Sequence, residues 1–133
     1  MKLERLCNMN VVIDTNVLVS ALWSKSGTCA KILYRILNYE LAVVYDQRIL
    51  HEYKVVLERP KFGFTKDEVR AIIDFVKNEG LCIVAKPLDI EFIDESDKKF
   101  YEVAKTMNCK LITGNKKHFP DKTDILSSGE FER

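Results

Sequence analysis

The chain has 133 residues, of which 47% are hydrophobic and 31% are charged, the composition of an ordinary globular protein rather than of a low-complexity chain. Twenty-one basic and 20 acidic residues leave a net charge of +1. Any basic surface that binds a nucleic acid must therefore be local. No apolar run is long enough to predict a membrane span.

Apolar runs alternate with amphipathic stretches along the chain. In chain order they predict a strand at 11–13, helices at 17–23 and 28–39, a strand at 41–45, helices at 46–58 and 65–80, a strand at 81–84, a helix at 96–107, and strands at 110–113 and 125–126. Such alternation is typical of a parallel sheet covered on both faces. We therefore predict an α/β fold, a three-layer α/β/α sandwich with a central parallel sheet of four to five strands.

Several helix boundaries have local sequence signals. Asp46 is a predicted N-cap, Thr65 and Glu68 have the spacing of a capping box, and Gly80 is a predicted C-terminal cap. We see one domain over residues 1–133, with residues 1–8 as a disordered leader or an extended start ahead of Met9.

The four cysteines are Cys7, Cys29, Cys82 and Cys109, and none of them belongs to a C-x-x-C pair. A structural zinc site needs closer ligand pairs, so this spacing argues against one. Cys82 and Cys109 lie in apolar runs, and we expect them to be buried, reduced thiols. Reduced thiols predict a cytoplasmic protein.

Asp14 directly follows the first apolar run. A carboxylate at the carboxyl end of a central parallel strand lies where open α/β sheets bind their ligands. The alternative is that Asp14 caps the next helix, because Asp, Thr and Asn all favour N-cap positions. The two alternatives are distinguished by whether other carboxylates reach the same edge of the sheet.

Two further acids fall near the apolar face of their helices. Glu52 lies beside the stripe formed by Ile49, Tyr53 and Val56, where a carboxylate is costly unless it pairs with a lysine or binds a cation. Asp97 lies in the first turn of the helix that carries Phe100. The alternative for Asp97 is a favourable interaction with the helix dipole.

These acids and the amide of Asn115, which follows the fourth strand, are predicted to meet at one edge of the sheet. Oxygen ligands of high negative charge suit Mg²⁺ or Mn²⁺, which can activate water and clamp a phosphodiester. No Ser or Cys has a base nearby to make it a nucleophile. His51 and His118 are expected to be solvated, with His118 the nearer to the site.

Four segments resemble the PIN domain, and most of all its bacterial branch of toxins from toxin–antitoxin systems. They are VVIDTNVLVSAL, ILHEYKVVLERPKF, DESDKKFYEVA and LITGNKKHFP. The resemblance implies a Mg²⁺- or Mn²⁺-dependent ribonuclease that cleaves single-stranded RNA and is controlled by a small antitoxin protein. It assigns catalysis and metal binding to Asp14, Glu52 and Asp97. Asn115 stands where the family often has Asp, which leaves its metal affinity and activity open.

Neighbouring residues complete the predicted site. The residues that match family positions beside the acids and could hydrogen-bond the ligands are Thr15, Asn16 and Thr113, while Asp94 is a weaker candidate that could simply cap its helix. The cations that could contact phosphates are Arg59, Lys61, Lys116 and Lys117. Trp23 and Tyr53 are candidates for base stacking, with core packing as the alternative.

We expect RNA and an antitoxin as partners, and a homodimer is possible. The alternative function is a PIN-like module that binds RNA or a protein with weak or no catalysis. Asn115 favours that alternative, and the three acids oppose it. A receiver domain needs an acceptor Asp after its third strand, but residues 84–87 of this chain are Val-Ala-Lys-Pro. No G-x-G-x-x-G follows the first strand to indicate a dinucleotide-binding fold.

Overall fold

The computed structural model describes residues 9–120 and 124–133, so the predicted leader at 1–8 and Cys7 lie outside the described residues. The strands within the described residues are β1 Met9–Ile13, β2 Leu41–Tyr45, β3 Leu81–Cys82, β4 Lys110–Ile112 and β5 Ile125–Leu126. The α-helices there are α1 Thr15–Ser24, α2 Gly27–Leu37, α3 Gln47–Leu57, α4 Lys66–Glu79, α5 Lys98–Met107 and α6 Ser128–Phe131. Short 3₁₀ helices lie at Pro60–Phe62, Glu95–Asp97 and Lys116–His118.

The strands form a parallel sheet in the order β3-β2-β1-β4-β5, flanked by helices, which confirms the predicted α/β fold. β1 is central, and its apolar residues Val11 and Val12 are fully buried, as expected for a strand covered on both faces. β1 lies between β2 and β4, so the chain leaves β1 at the point where the strand order reverses. Ligands of open α/β sheets bind at that point.

The register between strands aligns their carboxyl ends. Ile13 pairs with Ile112, and the backbone N–H of Asp14 donates to the Ile112 carbonyl at 2.9 Å. Asp14 and Thr113 therefore leave adjacent strands side by side. On the other side of β1, Val11 pairs with Val43, which brings the residue after β2, Asp46, to the same edge.

Helix caps agree well with the sequence. The Asp46 carboxylate accepts from the Ile49 N–H at 3.0 Å, and Thr65 and Glu68 form both hydrogen bonds of the capping box. Gly80 follows α4 but has an extended backbone rather than a left-handed one. A Cβ at Gly80 would lie 2.5 Å from the Val76 carbonyl oxygen, so close packing, not left-handed geometry, requires glycine there.

Two expectations for local structure were wrong, and one helix was not predicted. The strand predicted at 81–84 is only the short edge strand β3, and Val84 is 93% exposed. Cys82 is exposed instead of buried, because β3 pairs only with β2. Cys109 is partly buried, and burial raises the pKa of its thiol to about 11. The C-terminal helix α6, with a capping box between Ser127 and Glu130, was not predicted.

Within the described residues, no helix has the length and apolar character needed to cross a membrane.

Candidate active site

A cleft of about 710 Å³ opens at the carboxyl edge of the sheet. Its walls come from the start of α1, from α3, from the 3₁₀ turn before α5 and from the loop after β4. The predicted ligands that line it are Asp14, Glu52, Asp97 and Asn115. The structure thus brings together residues from four separate segments of the sequence.

Asp14 is 4% exposed, and its side chain does not cap the helix that follows it. The Asp14 backbone carbonyl starts α1 by accepting from the Val17 N–H, but the carboxylate accepts instead from the Thr113 hydroxyl at 2.6 Å. Burial raises the pKa of Asp14, and the nearby Asp97 and Glu52 raise it further, while the Thr113 hydrogen bond and the Asn16 backbone N–H in the first turn of α1 lower it. The main hydrogen bond of this carboxylate therefore comes from Thr113 and not from the helix that Asp14 precedes.

Thr113 links Asp14 to the loop after β4. Its hydroxyl oxygen accepts from the Asn115 backbone N–H at 3.0 Å while the hydroxyl donates to Asp14. Thr113 is fully buried, so this relay is shielded from water. It fixes the direction of the Asp14 carboxylate and the path of the backbone that carries Asn115 to the cleft wall.

Asp97 is buried, with 8% of its surface exposed. Its carboxylate lies 3.0 Å from Nδ1 of His118. Burial raises the pKa of Asp97; the His118 hydrogen bond opposes this, and the neighbouring Asp94 adds to it. His118 is thus in contact with the site, which corrects the expectation that it is solvated. His51 is exposed, as expected, at the cleft wall.

Asp94 also borders the cleft, but it is exposed. Its carboxylate accepts from the Ser96 backbone N–H at 3.0 Å and from the Ser96 hydroxyl at 2.7 Å. Asp94 therefore caps the 3₁₀ turn Glu95–Asp97, the alternative that the sequence had left open for it.

Glu52 has partners on both carboxylate oxygens. The Thr15 hydroxyl donates to Oε2, and the Lys99 ammonium lies 2.6 Å from Oε1. The Lys99 side chain is 13% exposed, lies over the Phe100 ring and also donates to the Ser96 carbonyl. A lysine partner was one alternative for Glu52 from the sequence, but the sequence did not identify Lys99 as that lysine. Its position one residue before the core residue Phe100 is the one sequence feature that indicates a place near the core.

Within residues 9–120 and 124–133, no group of three His, Cys, Asp or Glu side chains lies close enough together, as the chain stands, to hold a metal ion. The donors at this site are nevertheless oxygen atoms, the ligands that hard divalent cations prefer, and Asp14 and Asp97 are buried carboxylates of which Asp97 lies near enough to raise the pKa of Asp14. The Glu52 carboxylate is paired with the Lys99 ammonium. A cation that engages all three acids must therefore displace the Lys99 ammonium.

The predicted phosphate contacts divide into two groups. Arg59 and Lys61 line the cleft. Lys116 is not among the described residues that line it, and its ammonium pairs with Glu130 of α6 at 2.7 Å. Lys117 is exposed and also lies outside that lining, so phosphate contacts by these two lysines stay predictions.

The two aromatic candidates for base stacking also differ. Tyr53 is 1% exposed and its hydroxyl donates to the Ile13 carbonyl, so it belongs to the core and cannot stack on a base. Trp23 is 58% exposed. Arg48, which the sequence reading did not single out, lines the cleft while pairing with Asp46 at 2.7 Å and with Glu102 at 2.9 Å.

Comparison with known proteins agrees with this geometry. The chain is 30% identical over 118 residues to the uncharacterized protein MJ1680 of Methanocaldococcus jannaschii, an alignment that covers 86% of this chain and 76% of that protein. The profile of the PIN domain matches residues 10–117, a span that begins in β1 and includes each of the four predicted ligands. On the strength of that match, the chain belongs to the PIN domain family.

Proposed function

We propose that this protein is a Mg²⁺- or Mn²⁺-dependent endoribonuclease that cleaves single-stranded RNA. PIN domains are in general metal-dependent nucleases. The observation that carries the proposal is a pair of buried carboxylates, Asp14 and Asp97, in one open cleft. The pKa values of both carboxylates are raised. A buried carboxylate with a raised pKa is stabilised in its charged form when a cation binds beside it, which is what the proposal requires of these two acids.

In this proposal Asp14 and Asp97 hold the cation, Glu52 joins them when Lys99 moves, and the Asn115 amide oxygen adds a neutral donor. When bound, the cation supplies an activated water and a charge that stabilises the phosphodiester during displacement. The Thr113 hydroxyl keeps one Asp14 oxygen in place at 2.6 Å, and Thr15 does the same for Glu52. His118 positions Asp97 by its contact with that carboxylate.

The cleft wall also supplies cations for the RNA backbone. Arg59 and Lys61 are exposed, line the cleft and carry the opposite charge to its acids. A phosphate there would be drawn to their charges, while the scissile phosphate lies over the acids and their cation. Because the net charge is only +1, attraction for the RNA backbone must come from local cations such as these.

The finer biological role is also a proposal. The four sequence segments resemble toxins of toxin–antitoxin systems, so we propose a small antitoxin protein as the regulator. The described thiols at Cys29, Cys82 and Cys109 are free, which agrees with work in the reducing cytoplasm. A symmetric homodimer belongs to the same proposal, and light scattering of the purified protein would measure it.

The test is cleavage of a 5′-labelled single-stranded RNA with Mg²⁺, with Mn²⁺ and with EDTA. Asp14→Asn, Glu52→Gln and Asp97→Asn should each lower the rate at least 100-fold, since each removes a ligand charge. Asp67→Asn on α4 is the control, because Asp67 is exposed in the first turn of that helix and should leave the rate unchanged. Cleavage that persists in all three variants, or in EDTA, would reject the mechanism.

A second function has one specific observation in its favour. The Lys99–Glu52 ion pair occupies one of the three acids, and Asn115 lacks the charge common in the family. Both features suit a module that binds RNA or a protein without cutting it. RNA binding that needs no metal, together with no cleavage at any Mn²⁺ concentration, would favour this second function.

A further inference from the structure

Three aromatic rings form a surface feature beside the cleft, which we call the aromatic shelf: Trp23, Phe62 and Phe64. The Trp23 ring contacts Phe62 edge to face, with centroids 5.2 Å apart and planes at 83°. Phe62 and Phe64 lie nearly parallel, with centroids 6.0 Å apart and planes at 22°. Trp23 is 58% exposed, and the two phenylalanines are partly buried.

Local backbone geometry places these rings at the surface. Trp23 is the penultimate residue of α1, which ends where Lys25 takes a left-handed conformation with φ 61°. Phe62 ends the 3₁₀ turn Pro60–Phe62, which Gly63 terminates with φ 71°. Two separate chain reversals thus bring the rings together, with Phe62 and Phe64 packed against the edge of the core and Trp23 outside it. A tryptophan left more than half exposed gains little from burial, so its packing alone does not explain its position.

The shelf is continuous with the acidic cleft. Phe62 lines that cleft together with Arg59 and Lys61, and the Lys61 ammonium lies 5.1 Å from the Phe62 ring centroid. Rings interleaved with cations are the pattern by which proteins bind single-stranded nucleic acids, with bases stacked on rings and phosphates near the charges. Lysine is depleted at protein–protein interfaces, so the Lys61 ammonium beside the Phe62 ring favours a nucleic acid as the occupant.

We propose that Trp23 and Phe62 form a base-stacking subsite that holds single-stranded RNA beside the acidic cleft. This inference rests on the proposed function. It adds a binding site that is separate from the predicted metal ligands and that membership of the family does not by itself assign. Trp23 lies eight residues along α1 from Thr15, about 12 Å at 1.5 Å per residue. At about 3.4 Å per stacked nucleotide, that rise along the helix corresponds to roughly three to four nucleotides.

The chain offers a direct probe, because Trp23 is its only tryptophan. We would titrate the full-length protein in EDTA and low salt with a 12-nucleotide oligoadenylate. Tryptophan fluorescence should be quenched to saturation, and the midpoint should equal the Kd from anisotropy of the fluorescein-labelled RNA. This measurement needs no variant, so it does not depend on any substituted protein folding.

Variants then test the role of the ring. Trp23→Ala should weaken binding of the labelled oligoadenylate about tenfold, and Trp23→Phe should restore most of the loss because it keeps a stacking face. The matched control is Tyr39→Ala, an aromatic ring 40% exposed just before β2 at the opposite, amino edge of the sheet. Its affinity for the oligoadenylate should equal that of the wild type.

Several results would overturn the subsite. Unchanged fluorescence at saturating RNA, or equal affinity in Trp23→Ala and the wild type, would show that no base stacks there. If Trp23→Ala instead dissociated a dimer without changing RNA affinity, the shelf would be a protein interface. Failure of the nuclease proposal gives a different result. If the wild type cleaves no RNA but its Trp23 fluorescence is still quenched by RNA, the stacking subsite stands and only the cleavage activity is rejected.

Discussion

The Lys99 ammonium lies 2.6 Å from the Glu52 carboxylate, at the wall of a cleft that also holds two buried acids. The fold therefore supplies its own cation where the proposed function needs an external one. Because the Lys99 side chain is only 13% exposed, water screens this ion pair weakly. Lys99 and a divalent metal should compete for Glu52.

Replacing Lys99 tests that competition. Lys99→Met keeps the apolar stem but removes the charge, so in EDTA it should lower the free energy of unfolding by about 1–2 kcal/mol, because Glu52 is left without its partner. The same variant should bind Mn²⁺ more tightly than the wild type, and thermal melts with and without Mn²⁺ measure both effects. Lys98→Met is the control, since Lys98 is the neighbouring residue in α5 and is not among the described residues that line the cleft. Equal Mn²⁺ affinity in Lys99→Met and the wild type would contradict the competition.

The raised pKa of Asp14 predicts how stability depends on pH. Between the ordinary value of 3.8 and the raised native pKa, the folded protein binds more protons at Asp14 than the unfolded chain does. The free energy of unfolding should therefore fall as pH rises through that interval and stay lower above it.

Asp14→Asn should remove this loss. The amide can still accept from Thr113, so in EDTA at pH 7 we expect a gain of about 1 kcal/mol and a rise in Tm of roughly 3–5 °C. The gain over the wild type should shrink as pH is lowered towards 3.8. A variant that melts lower than the wild type at pH 7 would mean that the Asp14 charge stabilises the metal-free fold.

The Thr113 relay predicts a difference between two small substitutions. Thr113→Val keeps the shape but leaves the Asn115 N–H and the Asp14 carboxylate without their partner, at a cost of about 1–3 kcal/mol in the free energy of unfolding. Thr113→Ser keeps the hydroxyl and should cost about 1 kcal/mol or less. Urea denaturation measures both. Equal losses would assign the cost to the missing methyl or to packing rather than to the relay.

Asn115 tests whether the cleft lacks negative charge. Asn115→Asp adds a carboxylate at the cleft wall and should lower the Mn²⁺ concentration for half-maximal cleavage about tenfold, the equivalent of roughly 1–2 kcal/mol of added attraction. Asn115→Ala should raise that concentration. An identical metal titration for the wild type and both variants would place Asn115 outside the metal's coordination sphere.

Much of the fold was predictable because its signals are local. β2 and β5 were predicted with their observed bounds, and the Thr65 capping box depends only on residues three positions apart. The third strand was predicted too long, because the apolar run at 81–84 does not reveal that β3 pairs only with Val44 and Tyr45, the last two residues of β2. Whether Cys82 is buried depends on that pairing as well.

The sequence predicted which acids meet at one edge of the sheet but not the ion pairs that they form there. Asp14 could be placed at the carboxyl edge because strand ends follow from the sequence pattern. The partners of Glu52 and Lys116 could not, because Lys99 and Glu130 reach them from helices whose relative positions only the folded chain fixes. The direction of the Asp14 side chain was open for the same reason, since Thr113 lies 99 residues away.

Mn²⁺ binding by variants of two neighbouring acids, Asp97 and Asp94, is the sharpest test of the proposed metal centre. Asp97 is 8% exposed and contacts His118, whereas Asp94 is exposed and caps a turn that asparagine caps equally well. Calorimetric titration of wild type, Asp97→Asn and Asp94→Asn with Mn²⁺ separates the two roles. We predict that Asp94→Asn binds as the wild type does and that Asp97→Asn binds at least tenfold more weakly, losing much of the roughly 2.7 kcal/mol of stabilisation that Mn²⁺ gives at 100 times its Kd. Equal Mn²⁺ affinity in all three proteins would contradict a metal centre at these carboxylates.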